Sequence, residues 1–119
     1  MNYDWIEKAA LAHTGAAKDY KAEWEAYRFL VGGKMFAMLG EHKDGRPIVT
    51  AKLLPADGAL LRQQYPDIIP GYYMNKDHWN SVYLDGNTPQ DVIVKMLGES
   101  YGLVLDTLPK KTQKELLGN

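Results

Sequence analysis

The chain contains no cysteine. This absence excludes a disulfide framework, thiol chemistry and zinc sites built on thiolates, and it suits a cytoplasmic protein. No apolar run approaches the roughly 20 residues of a membrane-spanning helix. The opening residues 1–5 also lack the basic and apolar regions of a secretory signal. We therefore expect a cytoplasmic protein that does not contact a membrane.

An excess of positive charge is also missing. The formal net charge is -1 and the sequence pI is about 6.3. Proteins that bind nucleic acid without sequence preference usually carry a clear basic excess, because Lys and Arg neutralise the phosphates. The overall charge therefore argues against strong non-specific DNA binding, but it does not exclude a local basic patch.

The composition that remains is that of an ordinary globular protein. Hydrophobic residues make up 45% and charged residues 24% of 119 residues, which is enough to build one core. There is no internal repeat, low-complexity tract or linker. The sequence thus predicts a single domain over residues 1–119.

Two glycine-containing turns predict a three-stranded meander. Apolar residues alternate over 27–31, the Gly32-Gly33 pair follows, and an apolar run covers 34–39. A Gly-Gly pair between two such segments is typical of a β-hairpin, because glycine tolerates the positive φ of tight turns. Asp44-Gly45 indicates a second hairpin that leads into residues 48–53.

Helical periodicity and turn signals predict the remaining elements. We expect an opening helix at 3–13, a connection at 16–25, a short helix from Pro55 to before Pro66, an irregular segment at 67–71, strands at 72–73 and 79–84, a long helix capped by Thr88 that ends before Pro109, and a short turn near 112–117. The predicted fold class is α+β, a two-layer sandwich. A five-stranded antiparallel sheet would carry helices on one face, in the order α-β3-α-β2-α.

The sequence offers no catalytic constellation. His13, His42 and His78 are scattered without the i, i+4 spacing of helical metal ligands. No Gly-x-Ser-x-Gly motif occurs, and Gly32-Gly33-Lys34 lacks the spacing and the Ser or Thr of a phosphate-binding loop. We expect no enzyme activity, no metal and no cofactor, with His78 as the single candidate for a general acid or base.

One segment has the composition of a recognition surface. Residues 70–80 contain two Tyr, one Trp, one His, one Lys and two Asn. Aromatic rings stack on bases, Asn pairs with base edges and Lys contacts phosphate. The alternative is structural, with Trp79 in the core and the polar residues in a solvated turn.

Three lysines could join this segment. Lys34 lies in the first predicted hairpin, Lys52 ends the third predicted strand and Lys76 lies in the later turn, so strand pairing could place some of them on one face. Lys110-Lys111 and Lys114 form a separate basic tail. A solvated helix end explains that tail better.

Three sequence blocks resemble the MmcQ/YjbR family. The run from Tyr27 to Ala37 is similar to its Tyr-Arg-x-x-x-Gly-Lys-Met-Phe-Ala motif. The blocks Tyr65-Pro66 to Tyr72 and Asn75 to Asn80 resemble a second motif. Ser100-Tyr101 with residues 108–111 resembles a third. The blocks occur in the family's order over nearly the whole chain.

The resemblance implies the α-β3-α-β2-α order and the CyaY-like, or double-wing, fold of a bacterial DNA-binding protein. Fold likeness alone does not establish function. The candidate binding residues that it implies are Arg28, Lys34, Lys52, Tyr72, Asn75, Lys76, His78, Trp79 and Asn80.

Two hypotheses of function remain open. The first is a DNA-binding monomer that uses the lysines for phosphate and Tyr72, His78 and Trp79 for bases or sugars. The second is a small-ligand or peptide-binding protein with a site lined by residues 72–80. A pocket rimmed by Lys34, Asn75 and His78 would favour the second hypothesis.

Overall fold

The computed structural model describes residues 3–71 and 74–118. The helices are α1 (Asp4–Leu11), α2 (Pro55–Gln64), α3 (Gln90–Asp106) and α4 (Lys110–Leu117), and a 3-10 helix covers Ala22–Trp24. The strands are β1 (Ala16–Lys21), β2 (Ala26–Val31), β3 (Lys34–Glu41), β4 (Pro47–Lys52), β5 (Ile68–Pro70) and β6 (Trp79–Tyr83). The fold is therefore α+β, as predicted.

The described strands form one antiparallel sheet of six strands in the order β1-β2-β3-β4-β6-β5. The prediction of five strands was wrong because β1 occupies the segment that we expected to be a connection. The β1 sequence, Ala-Ala-Lys-Asp-Tyr-Lys, contains few strong strand formers. It is an edge strand that is stabilised by pairing with β2 along its whole length, and its charged residues suit an exposed edge.

The second edge strand also departs from the prediction. Residues 68–70, which we expected to be irregular, pair with β6 as β5. Pro70 is tolerated there because an edge strand has one unpaired side. The strand predicted at Tyr72-Tyr73 lies outside the described residues. Along the chain, α1 is followed by four strands, α2, two strands, α3 and α4. Helix α4 is a full helix where we expected a short turn.

Both predicted hairpins are confirmed. Gly32 and Gly33 have φ of 57° and 80°, and the flanking residues Val31 and Lys34 pair directly. This is the geometry of a two-residue turn that needs positive φ at both positions. Gly45, with φ of 84°, lies in the turn that joins β3 to β4.

The predicted cap of the long helix was wrong. Helix α3 begins at Gln90 with Pro89 at the N-cap position, and no side chain caps it. Pro89 has an extended ψ of 143°, so Thr88 lies one residue too far from the first turn for its hydroxyl to cap it.

The core lies between the helices and one face of the sheet. All four helices contribute side chains to one apolar cluster, which includes Ile6, Leu61, Ile93 and Leu116. Because side chains alternate between the faces of a strand, Val49 of β4 joins this cluster, whereas Ile48 and Thr50 point to the other face. We call that other face the open face.

Candidate functional site: a basic sheet end and an open-face pocket

Several candidate residues meet at one end of the sheet, which we call the basic end. Strand β3 begins there at Lys34, β4 ends at Lys52 and β6 begins at Trp79. Lys52 and Trp79 are direct register partners. The Lys34 ammonium lies 3.4 Å from the hydroxyl of Thr107, just after α3, so the C-terminus of α3 reaches the same end.

The lysines of the basic end do not share one face. The Lys34 side chain bonds to Thr107 on the helical side of the sheet. Lys52 follows the alternation of Ile48 and Thr50 and therefore belongs to the open face. The arrangement is a basic rim around the end of the sheet rather than a flat basic surface.

Residues 74–78, which precede β6, carry three candidates to this end. The Asn75 carbonyl accepts hydrogen bonds from the backbone N–H groups of His78 (3.1 Å) and Trp79 (2.9 Å). The Asn75 side-chain oxygen accepts a third bond from the N–H of Asp77 (3.0 Å). Asn75 is therefore engaged in holding the turn, and this turn leaves Lys76 exposed at its tip.

Asn80 is enclosed beneath α2 and has 0% exposure. Its side-chain oxygen accepts a hydrogen bond from the Arg62 guanidinium, and its NH₂ donates to the His78 carbonyl at 3.2 Å. The backbone carbonyl of His78 also accepts a bond from Leu53 N–H at 2.7 Å. Asn80 thus supports the start of β6 from inside, while the ring of His78 is half-buried.

Arg28 lies in the middle of β2, away from the basic end. Its guanidinium donates to both carboxylate oxygens of Asp19, at 2.8 and 2.5 Å. These hydrogen bonds lower the pKa of the Asp19 carboxyl below its usual value. The charge of Arg28 is therefore neutralised within the sheet. The last candidate, Tyr72, lies outside the described residues.

The charges of the described residues separate along the strand direction. Five lysines lie near the basic end, Lys34, Lys52, Lys76, Lys110 and Lys111, and the carboxylates near it include Asp57, Asp77, Asp106 and Glu115. The opposite end, which we call the acidic end, carries the carboxylates Glu23, Glu25, Glu41, Asp44, Asp67 and Asp85 with the cations Lys21, Lys43 and Arg46.

The two ends also differ in how their charges are paired. At the acidic end, Lys21 lies 3.6 Å from Glu23 and Arg46 lies 2.7 Å from Asp85. At the basic end, no carboxylate of the described residues lies within ion-pair distance of any of the five lysines. Although the net charge of the chain is -1, the lysines of the basic end are therefore available to bind an anion.

A second feature is a cavity of about 420 Å³ on the open face, which we call the open-face pocket. The residues that line it are Glu23, Trp24, Ala26, Met38, Glu41, Lys43 and Met74. Met74 comes from the segment 72–80 that we expected to line a ligand site. Lys34, Asn75 and His78 do not line the pocket, so it is not the pocket that would have favoured the small-ligand hypothesis.

Sequence reasoning missed the pocket residues because they come from separate elements. Trp24 belongs to the 3-10 helix, and Met38 lies in the centre of β3. One signal was available, since Trp24 stands directly between two acidic residues, Glu23 and Glu25. A Trp in that setting often lies at a surface, and its exposed fraction here is 47%.

The described residues show neither a metal centre nor a membrane span. No group of three or more His, Asp or Glu side chains in the described ranges could hold an ion. Across the same ranges, every helix is too short or too polar to cross a bilayer.

A protein-family comparison matches residues 11–103 to the YjbR family. The Escherichia coli K12 protein YjbR is 36% identical to this chain over 117 residues, which are 98% of each chain. The YbdF protein of Escherichia coli O157:H7 is 40% identical over 88 residues, which are 74% of this chain and 71% of YbdF.

Two solved structures share the fold. The crystal structure of Deinococcus radiodurans protein DR2400 matches with a TM-score of 0.84 and 31% identity, over 95% of this chain and 86% of that one. A crystal structure of a Pseudomonas syringae protein matches with a TM-score of 0.70 and 26% identity, over 87% of this chain and 98% of that one.

Proposed function

The chain belongs to the YjbR family, and from its separated charges we propose that it is a DNA-binding protein that contacts the phosphate backbone through the basic end. The observation that supports this proposal is the set of five lysines around one end of the sheet that have no ion-pair partner among the described residues. Phosphate contacts dominate the affinity of such complexes because each one releases condensed counterions.

The residues of the basic end have distinct roles in this proposal. Lys34, Lys52 and Lys76 contact phosphates, and the half-buried rings of His78 and Trp79 contact sugars or bases beside them. These lysines lie on both faces of the sheet end, so in this proposal the DNA phosphate backbone curves around that end.

The remaining described candidates act indirectly. Asn80 is enclosed and supports β6, Asn75 holds the turn that presents Lys76, and Arg28 is paired with Asp19. We therefore expect their substitution to affect DNA binding only where it disturbs the fold.

The test is fluorescence anisotropy with labelled duplex and single-stranded DNA at about 50 and 200 mM salt. We expect binding at low salt that falls steeply at high salt, and a large loss of affinity in the double variant Lys34→Ala/Lys76→Ala. The matched control, Lys8→Ala/Lys43→Ala, removes the same charge from exposed positions outside the basic end. This control should bind almost as the parent protein does, and so should Arg28→Gln.

Two results would contradict the proposal. One is an equal loss of affinity in both double variants, because net charge rather than the basic end would then govern binding. The other is no binding at tens of micromolar protein in low salt, since non-specific binders commonly reach dissociation constants of roughly 10⁻⁴ to 10⁻⁶ M.

A further inference from the structure

The open-face pocket differs from the basic end in its lining residues and in its charge. Its walls come from the 3-10 helix, β2, β3 and the turn that follows β3, together with Met74, which lies in the segment 74–78 before β6. The volume of about 420 Å³ lies within the usual range for small-molecule sites. None of the five basic-end lysines lines it.

The inner surface of the pocket is apolar and adaptable. Ala26 and Met38 form part of the sheet face and are 2% and 8% exposed. Trp24 lines the pocket with a large aromatic ring, whose centroid also lies 5.0 Å from the Lys21 ammonium and 6.0 Å from the Arg28 guanidinium. The thioethers of Met38 and Met74 are flexible and polarisable. A flat or compact apolar group fits between an aromatic ring and two methionines.

The rim of the pocket is charged and mainly acidic. Glu41 and Lys43 have no ion-pair partner among the described residues, whereas Glu23 lies 3.6 Å from Lys21. The pocket also lies beside the acidic end, where carboxylates outnumber cations. Glu41 is therefore available to pair with a positively charged group at the rim.

We propose that the open-face pocket binds a small organic cation with an aromatic or compact apolar body. The body packs against Trp24, Met38 and Met74, and the cationic group pairs with Glu41 at the rim. Lys43 repels the cationic group of the ligand and so confines it to the Glu41 side of the rim. This site does not depend on the proposed DNA-binding function, because the two use different residues.

The probes are three molecules with the same ring system and different charge: tryptamine (cation), indole (neutral) and indole-3-acetate (anion). Binding is followed by ¹H–¹⁵N NMR at probe concentrations up to about 10 mM, which detects dissociation constants in the millimolar range. We expect tryptamine to bind most tightly and indole-3-acetate least. The shifted signals should include the Trp24 indole N–H and the backbone amides of Met38 and Met74.

Charge variants at the rim test the sign of the interaction. Glu41→Gln should weaken tryptamine binding by about two- to fivefold, the range expected for one exposed ion pair. Lys43→Met should strengthen tryptamine binding and weaken binding of indole-3-acetate. Trp24→Ala should weaken all three probes, by about two- to tenfold, and its half-exposed position makes it compatible with folding. Leu60→Ala, on the exposed face of α2, is the control that should change nothing.

Several outcomes overturn the proposal. These are equal affinity for the three probes, shifts that lie outside the pocket, and no tryptamine binding at about 10 mM. Pocket signals that depend on protein concentration in the absence of probe would assign the surface to a second copy of the chain, and this result also overturns it. Loss of DNA binding in Lys34→Ala/Lys76→Ala with tryptamine binding intact would show that the two sites are separate.

Discussion

Ser100 connects α3 to two strands through a single hydroxyl. Its Oγ donates to the Phe36 carbonyl of β3 at 2.5 Å and accepts from the Lys52 N–H of β4 at 2.8 Å. The residue is fully buried, with 0% exposure. Since β4 also ends at this point, the hydroxyl completes the hydrogen bonding of two backbone groups that have no water to replace it.

We expect Ser100→Ala to lower the free energy of unfolding by about 2 to 3 kcal/mol, because it leaves a buried N–H and a buried C=O without their partner. Urea denaturation measures this loss. Val94→Ala, at an exposed position of the same helix, should change the value by less than about 0.5 kcal/mol. A Ser100→Ala protein as stable as the Val94→Ala protein would show that the hydroxyl is dispensable.

Individual residues were predicted unevenly from the sequence. Tyr101 was named as part of a sequence motif, and the structure gives it a structural role: it stacks on His13 at 4.6 Å and donates its O–H to the Thr14 carbonyl. The burial of Asn80 was not predicted, because an Asn in a polar, aromatic segment looks like a surface residue until the helix that covers it is placed. Whether Asn80 is buried depends on tertiary packing, which the local sequence does not show.

The β2–β3 hairpin is locked against the C-terminal end of α3. A Cβ on Gly32 would lie 2.6 Å from a methyl carbon of Leu108, whereas a Cβ on Gly33 would meet no atom within 4 Å. Both glycines have positive φ. The two positions therefore share the same backbone requirement and differ in packing.

We predict that Gly33→Ala costs about 1 to 2 kcal/mol of stability, the usual penalty for an alanine at positive φ. Gly32→Ala should cost at least about 1 kcal/mol more, because the new methyl group clashes with Leu108. Urea denaturation of both variants gives the difference. Adding Leu108→Ala should narrow the gap between the two variants, and equal costs in the presence of Leu108 would contradict the packing argument.

Elements with strong local signals were predictable, and edge strands were not. The meander of β2, β3 and β4 follows from alternation and from two glycine turns, all of which are local. Strand β1 contains few residues typical of strands, and β5 is only three residues long and ends in Pro70. Both form because a neighbouring strand supplies hydrogen bonds. Those hydrogen bonds exist only in the assembled sheet, so the sequence of a single segment does not predict them.

At the scale of the molecule, three carboxyl groups with lowered pKa make the free energy of unfolding depend on pH in the acid range. A hydrogen bond from Arg28 lowers the pKa of Asp19. A bond from the Arg46 backbone N–H, helped by the Tyr83 hydroxyl, lowers the pKa of Asp44, and a bond from the Arg46 guanidinium lowers that of Asp85. A carboxyl whose folded-state pKa is depressed stabilises the fold above its unfolded-state pKa. That stability is lost as the pH falls through the folded-state pKa.

We therefore expect the free energy of unfolding to decrease as the pH falls below the usual carboxyl range of about 4. Asp85→Asn should be less stable than the parent protein near neutral pH and should approach it at low pH, where the parent Asp85 is protonated. Urea denaturation across a pH series measures both curves. Curves that run parallel over the whole series would show that Asp85 contributes nothing to the acid response.

The candidate site was predictable only in part at this scale. The sequence indicated that Lys34, Lys52 and Lys76 could come together, and the structure places them at one end of the sheet but not on one face. The separation of charge into two ends depends on the strand directions, which composition does not reveal. The open-face pocket is lined by residues that are far apart in the sequence. No single sequence motif therefore predicts it.

The order of elements along the chain has a consequence for synthesis on the ribosome. Strands β1 to β4 are complete at Lys52, but their apolar face is covered mainly by α3, which ends at Asp106. At about 5 to 20 residues per second, the nascent meander waits roughly 3 to 10 seconds for that helix to be made, and longer for it to leave the exit tunnel. During that interval its apolar face is a target for chaperones, and codons that slow translation between Lys52 and Asp106 would lengthen the exposure.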